Sequence, residues 1–267
     1  MNFKSFDKLE LNKILYSVSE YAVTDGGKKL VIAYKPSSDL EEVRRRLSLT
    51  SECDKLLYKY GTAKVFSFID MTEELTRVNK GSSMTCAELL SAAELLRAAR
   101  TAYSDIEKTD KNEIVLVRSL TKNICFDEAL EKDITEKIIS VDTLSDYASD
   151  RLFSIRSKIK SLNSRIREKL SEYTSGKYGE YLQDSIVTVR NDRYVIPVKA
   201  EHKSHVKGFI HDRSKTGATF FIEPEYILEL NNELIALTID EKEETEAILR
   251  ALSKRLGDIA ENLIETI

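Results

Sequence analysis

Tryptophan is absent from this 267-residue chain, and glycine (9), proline (3) and cysteine (3) are scarce. A compact globular enzyme of this size usually carries more glycine and proline. Their shortage, with 32% charged residues, points to long helices with solvated faces. The three cysteines, Cys53, Cys86 and Cys125, are far apart and odd in number. They exclude a disulfide framework and fit a reduced, cytoplasmic setting. No run of 18 apolar residues exists, and the N-terminus lacks an apolar signal core, so neither a membrane helix nor a secretory signal is expected. No G-x-x-x-x-G-K-[ST] loop occurs, which excludes a P-loop within these residues. An excess of positive charge is missing too. The net charge of −4 gives no whole-chain field toward nucleic acid, so any basic surface must be local. The length suffices for one large domain or two modest ones.

What remains is mostly helical pattern. Asp7 is placed to cap a first helix with Leu9, Leu11, Ile14, Leu15 and Val18 as its apolar stripe. "DGGKK" at 25–29 interrupts it as a helix terminus. Pro36 and then Ser38 or Asp39 open a second helix, with Glu41 and Glu42 in its first turn. Leu40, Val43, Leu47, Leu49 and Leu56 form its apolar side, and Gly61 closes it. Another helix begins near Thr85, rich in Ala and Leu. "NEIVLVRSL" at 112–120 fits either a short strand or a buried helix.

From Leu152 the pattern tightens. Leu152, Ile155, Ile159, Leu162, Ile166, Leu170 and Tyr173 approach a heptad seam. Seven bases and one acid, Glu168, occupy 151–170. Residues 226–267 mirror this, with seams at Ile227, Leu230, Leu234, Leu237 and at Leu249, Leu252, Leu256, Ile259, Leu263, and with ten acids against four bases. Apolar seams and opposite charges favour pairing the two as an antiparallel coiled coil, which would match much of the basic helix to its own partner. Exposed ion pairs contribute only about 0–1 kcal/mol each, so the seams supply most of the stability.

Between the arms lies "SIVTVRNDRYVIPVKAEHKSHVKGFIHDRSKTGATFFIEP", 185–224. Its β-branched and aromatic runs predict four short strands at 185–190, 193–199, 206–212 and 218–224. Asn191 and Asp192 suit a tight hairpin turn, and Gly217 supplies positive φ in "RSKTG". Pro197 belongs on an edge strand or at a bulge, and Pro224 ends the last strand. The expected fold is therefore mainly α: a helical core at 1–140, an outgoing helix at 141–180, a four-stranded antiparallel β tip at 181–225 and a returning helix at 226–267.

Residues 185–219 hold seven bases, Arg190, Arg193, Lys199, Lys203, Lys207, Arg213 and Lys215, against three acids. Such a tip suits a polyanion backbone, with salt-dependent affinity and little sequence preference. The plainer reading is a solvated loop region on a small sheet. His202, His205 and His211 invite a metal, but no cysteine lies near and the spacing is unspecific. No nucleophile context supports hydrolysis.

The segments "SIVTVRNDRYVIPVKAEHK", "GFIHDRSKTGATFFIEP" and "ELNNEL" resemble the clamp region of the type-two branch of the MutS family, bacterial relatives of the mismatch-repair ATPase MutS. "LELNKIL", "YAVTDGGKK", "YKPSSDLEEV" and "SKIKSLNSRIREKLSEYT" resemble that branch in order and spacing. The resemblance implies core and lever helices carrying a clamp, followed by an ATPase domain with a Walker A loop and a C-terminal Smr nuclease domain. It implies homodimers that grip branched or mismatched DNA, suppressing recombination, or that rescue collided ribosomes. It also implies that these residues are an N-terminal fragment with no catalysis and no cofactor of its own, monomeric in isolation. ATP and Mg are expected for the missing ATPase domain, and no membrane partner is expected. The seven bases above are the candidate nucleic-acid contacts. A reading from a different class makes the chain a coiled-coil arm with a protein-binding β tip.

Overall fold

A computed structural model describes residues 8–61, 67–176 and 178–267. Asp7 lies outside them, as do Lys177 and the side chain of Tyr173. The fold is mainly α, with one two-stranded and one four-stranded antiparallel sheet. Two compact units are distinguished: Met1–Ser145 together with Leu249–Ile267, and Asp146–Ile248.

The first unit is helical. Helix α1 spans Leu11–Ser19, α2 Asp25–Ile32, α3 Leu40–Tyr58, α4 Thr72–Asn79, α5 Cys86–Glu107, α6 Val115–Leu120 and α7 Glu128–Lys137. Local chemistry sets several starts. The Asp39 carboxylate accepts the Glu41 and Glu42 amides, and Thr85 and Glu88 form a reciprocal capping box. "DGGKK" opens α2 instead of closing α1, because the Thr24 hydroxyl takes the Gly27 N–H. "NEIVLVRSL" resolves to helix, with Ile114 fully buried at the start of α6. Leu75, Leu89, Leu95, Leu96, Leu130 and Ile134 are among the fully buried large side chains of the core. Glu131, itself buried, accepts from Arg97 at 3.0 Å and Arg100 at 2.8 Å. A short hairpin, β1 (Ile138–Ser140) with β2 (Thr143–Leu144), follows α7.

Two expectations need correction here. Of the apolar stripe assigned to α3, only Leu56 is buried, while Leu40 and Leu47 stay exposed. Leu9, Ile14 and Val18 are exposed as well. Periodicity defines a helix face but does not supply the element that covers it.

The second unit begins with α8, Asp150–Ser175, capped by Ser149, whose hydroxyl accepts the Leu152 N–H at 3.0 Å. Strands β3 (Thr188–Arg190), β4 (Arg193–Lys199), β5 (Gly208–Arg213) and β6 (Thr219–Pro224) form the four-stranded sheet in the order β3-β4-β6-β5, antiparallel throughout. Helix α9, Leu228–Gly257, follows. Its residues from Leu249 on group with the first unit, as does helix α10, Ala260–Thr266. There Leu252, Leu256 and Leu263 are buried, Ser253 accepts the Met84 N–H at 2.8 Å, and Arg255 pairs with Asp133 at 2.5 Å. The second apolar seam read in 249–263 thus belongs to the helical unit.

Within Asp146–Ile248, Arg151 pairs with Glu244 at 3.5 Å and Arg156 with Glu241 at 2.7 Å. Further along α8, Leu162, Ile166 and Leu170 share a core with Ile227, Leu230 and Leu234. Rising numbers on α8 meet falling numbers on α9, so the two helices pair antiparallel. Ile196, Val198, Val206 and Ile222 of the sheet region complete that core.

The turn chemistry matches the sequence. Asn191 (φ 50°) and Asp192 (φ 60°) both take left-handed backbone, the two-residue hairpin geometry that joins β3 to β4. Gly217 has φ 77°. Pro197 differs from expectation, since β4 is an interior strand. Its register explains the tolerance. Pairing with β3 ends at Val195, so the missing donor of Pro197 points to a side where no strand continues, and its carbonyl accepts the Gln183 N–H at 2.9 Å.

Candidate nucleic-acid interface

The seven candidate bases do not share one fate. Arg190 reaches across the sheet, over the Phe221 ring at 4.4 Å, to Asp212 at 3.3 Å. Arg193 is held by the fully buried Glu223 at 2.8 Å and by Asn232 at 2.7 Å. Both guanidiniums therefore have carboxylate partners. Lys199 donates to the Glu180 carbonyl at 3.0 Å, a contact that leaves its charge unneutralised. Lys203 and Arg213 lie against the Phe220 ring at 5.3 and 5.5 Å. Lys207 and Lys215 are exposed and make no ion pair among the described residues. Of the seven, Lys203, Lys207, Arg213 and Lys215 are thus the exposed cations that make no ion pair with a carboxylate among the described residues.

Why Arg193 of β4 is held internally follows from a buried polar network. Glu223 on β6 has no exposed surface. Its carboxylate accepts from Arg193, from Asn231 at 2.7 Å and from His211 at 2.5 Å. The Asn231 amide, also fully buried, accepts the Tyr194 N–H at 3.2 Å and donates to the Tyr194 carbonyl at 3.0 Å. It continues the ladder of β4 where Pro224 cannot donate. Tyr194 in turn donates its hydroxyl to Asn163 of α8 at 2.9 Å. Every carboxylate oxygen of Glu223 is thereby satisfied, as a buried charge requires.

This network was legible only in part. Asn231 and Asn232 stand in "ELNNEL", where a poor helix former falls between Leu230 and Leu234 on the apolar side. That placement was the available signal. His211 sits at the register shift of β5, between Ile210 and Asp212, where a bulge re-aims a side chain. His202 and His205 form a ring triad with Tyr181. Among the described residues no group of three or more His, Cys, Asp or Glu is arranged to hold a metal ion.

The basic helix also departs from expectation. Among the described residues, Arg151 and Arg156 alone of its bases pair with acids of α9. Lys158, Lys160, Arg165, Arg167 and Lys169 are exposed and make no ion pair among the described residues. Five of the seven acids of α9 concentrate at Asp240–Glu246, opposite the start of α8, and Glu229 and Glu233 make no ion pair with the later bases among the described residues.

The comparisons with known proteins fit these features. No protein-family profile matches the chain. It is similar to the Endonuclease MutS2 of Clostridioides difficile (strain 630), 38% identical over 99% of this chain and 34% of that protein. It is similar to the Endonuclease MutS2 of Clostridium perfringens (strain SM101 / Type A), 38% identical over 95% of this chain and 32% of that protein. The Endonuclease MutS2 of Clostridium botulinum (strain Alaska E43 / Type E3) is 38% identical over 98% of this chain and 33% of its own length.

The chain belongs to the MutS2 family.

It spans about a third of the length of the curated relatives it matches. Its small sheet is fixed by "ELNNEL" and flanked by cations that make no ion pair among the described residues. No described helix is long and apolar enough to cross a membrane.

Proposed function

We propose that Asp146–Ile248 is a nucleic-acid-gripping module of a MutS2 protein, in which the four-stranded sheet is a clamp and α8 with the start of α9 forms its lever. The observation that carries this reading is the set Lys203, Lys207, Arg213 and Lys215, exposed cations without carboxylate partners on and beside one small sheet. In a chain of net charge −4 such a set is local and directed. The chemistry it recognises is a phosphate backbone, offered alike by branched DNA and by ribosomal RNA. Lys199 and the later bases of α8 extend the same field. The lever transmits the state of the parent's ATPase to the clamp as a rigid-body movement. In this reading the parent is a homodimer with ATPase and nuclease activity, and residues 1–267 carry the grip alone.

The test is charge reversal of Lys203, Lys207 and Arg213 together, with binding to branched DNA and to ribosomes followed across a salt series. The unmodified chain should show a steep salt slope. The triple variant should lose affinity, and its slope on duplex DNA should flatten by roughly 0.9 per phosphate contact removed. Unchanged affinity at low salt would sink the clamp contact.

A second reading rests on a specific feature of β5. This strand is an edge of the sheet, and Phe209 and Ile210 are exposed on it. An extended protein partner could add there by strand pairing. Binding that resists salt and needs no nucleic acid would favour it.

A further inference from the structure

The ring cluster beside β4 is unused by a purely electrostatic grip. Tyr181 ends a 3-10 turn, Gly179–Tyr181, and His202 and His205 belong to another, Ala200–His205. The Tyr181 ring centroid lies 4.9 Å from each histidine ring, and the two histidine rings are 5.5 Å apart. His205 is exposed, and Tyr181 and His202 are half-buried. The cluster is held in place by backbone pairing: Leu182 bridges to Val198, Gln183 donates to the Pro197 carbonyl at 2.9 Å, and Lys199 donates to the Glu180 carbonyl at 3.0 Å. Lys203 lies in the same turn as both histidines. A fixed aromatic surface interleaved with cations is the pattern by which proteins hold unpaired bases, since every base offers a π-face and every nucleotide a phosphate.

Resting on the gripping role proposed above, we infer that the Tyr181–His202–His205 cluster stacks an unpaired base, so that the clamp selects single-stranded segments over continuous duplex. In a duplex the bases are stacked on one another and their faces are closed to the cluster. In a loop, bulge or branch they are free to splay out. Lys199 and Lys203 then meet the phosphates on either side of the stacked nucleotide.

The decisive comparison uses the unmodified 267-residue chain with a thymidine 20-mer and with an abasic 20-mer that keeps the phosphates and lacks the bases. The abasic strand should bind roughly 5- to 100-fold more weakly at the same salt, with the same salt slope. His205→Ala, at an exposed position, should reproduce part of that loss on the thymidine strand and leave the abasic affinity unchanged. His205→Phe should restore it, because a ring suffices and a charge is not needed. Equal affinity for the two strands would overturn the stacking inference and leave the phosphate grip intact. Loss in His205→Phe as large as in His205→Ala would overturn it as well, assigning the histidine's effect to charge. Absence of salt-dependent binding to either strand would overturn the gripping role and this inference together.

Discussion

At the scale of single residues, the chain spends its polar chemistry on holding the sheet in register. Asn231 is the clearest case, because one buried amide satisfies both backbone groups of Tyr194 and one oxygen of Glu223. Asn231→Ala leaves the Tyr194 N–H and carbonyl without this partner and leaves Glu223 Oε1 with Arg193 alone. Chemical unfolding should show a loss of about 1–3 kcal/mol, the cost of buried polar groups left without partners. Glu131 plays a comparable part in the helical unit. Hydrogen bonds from Arg100, and then from Arg97, hold its carboxyl below the ordinary glutamate range despite its burial. A carboxyl whose pKa is depressed on folding stabilises above its unfolded value of about 4.3, and that contribution is lost as pH falls through the folded value. Thermal melts between neutral pH and pH 3 should therefore show a shallower acid limb in Glu131→Gln than in the unmodified chain.

At the scale of elements, turns and caps were written locally and the strand order was not. Asn191 and Asp192 announce a left-handed two-residue turn because their short polar side chains tolerate that backbone, and both angles are positive. Glycine bears such angles without strain. Asp192→Gly should raise stability by roughly 0.5–1 kcal/mol, read as a higher denaturant midpoint at unchanged slope. The strands were legible from β-branched and aromatic runs. Their order β3-β4-β6-β5 was not, since pairing depends on residues distant in sequence. Pro197 shows the difference. The rule that proline avoids interior ladders holds for the side it faces, yet the strand as a whole is interior. In the same way "DGGKK" marked a helix boundary, while the Thr24 cap decided that a helix starts there.

At the scale of the whole molecule, the candidate site was half legible. The seven bases of 185–219 were visible as composition, but nothing in their spacing separated Arg190 and Arg193, which have carboxylate partners, from Lys203, Lys207, Arg213 and Lys215, which have none among the described residues. The basic arm misled in the opposite direction. Complementary net charges suggested matched helices, whereas the bases from Lys158 to Lys169 make no ion pair among the described residues. The proposed division of labour places turnover in the parent outside residues 1–267. On that reading the purified chain should release no phosphate from ATP and cleave no labelled DNA strand, with or without added magnesium. Robust turnover in either assay would overturn it.

The sequence by itself determined the helical class, the β-patterned interruption, the left-handed hairpin turn and the local excess of positive charge. Each of these depends on residues within a turn or two of one another, where propensity, capping and alternation act directly. Only the tertiary structure decided which cations remain unpaired, that Glu223, His211, Arg193 and Asn231 converge, and that the last apolar seam joins the helical unit. Those outcomes depend on which distant side chains meet once the faces are buried. The energy of such a meeting is a property of the pair and its surroundings, and it is written in neither segment alone.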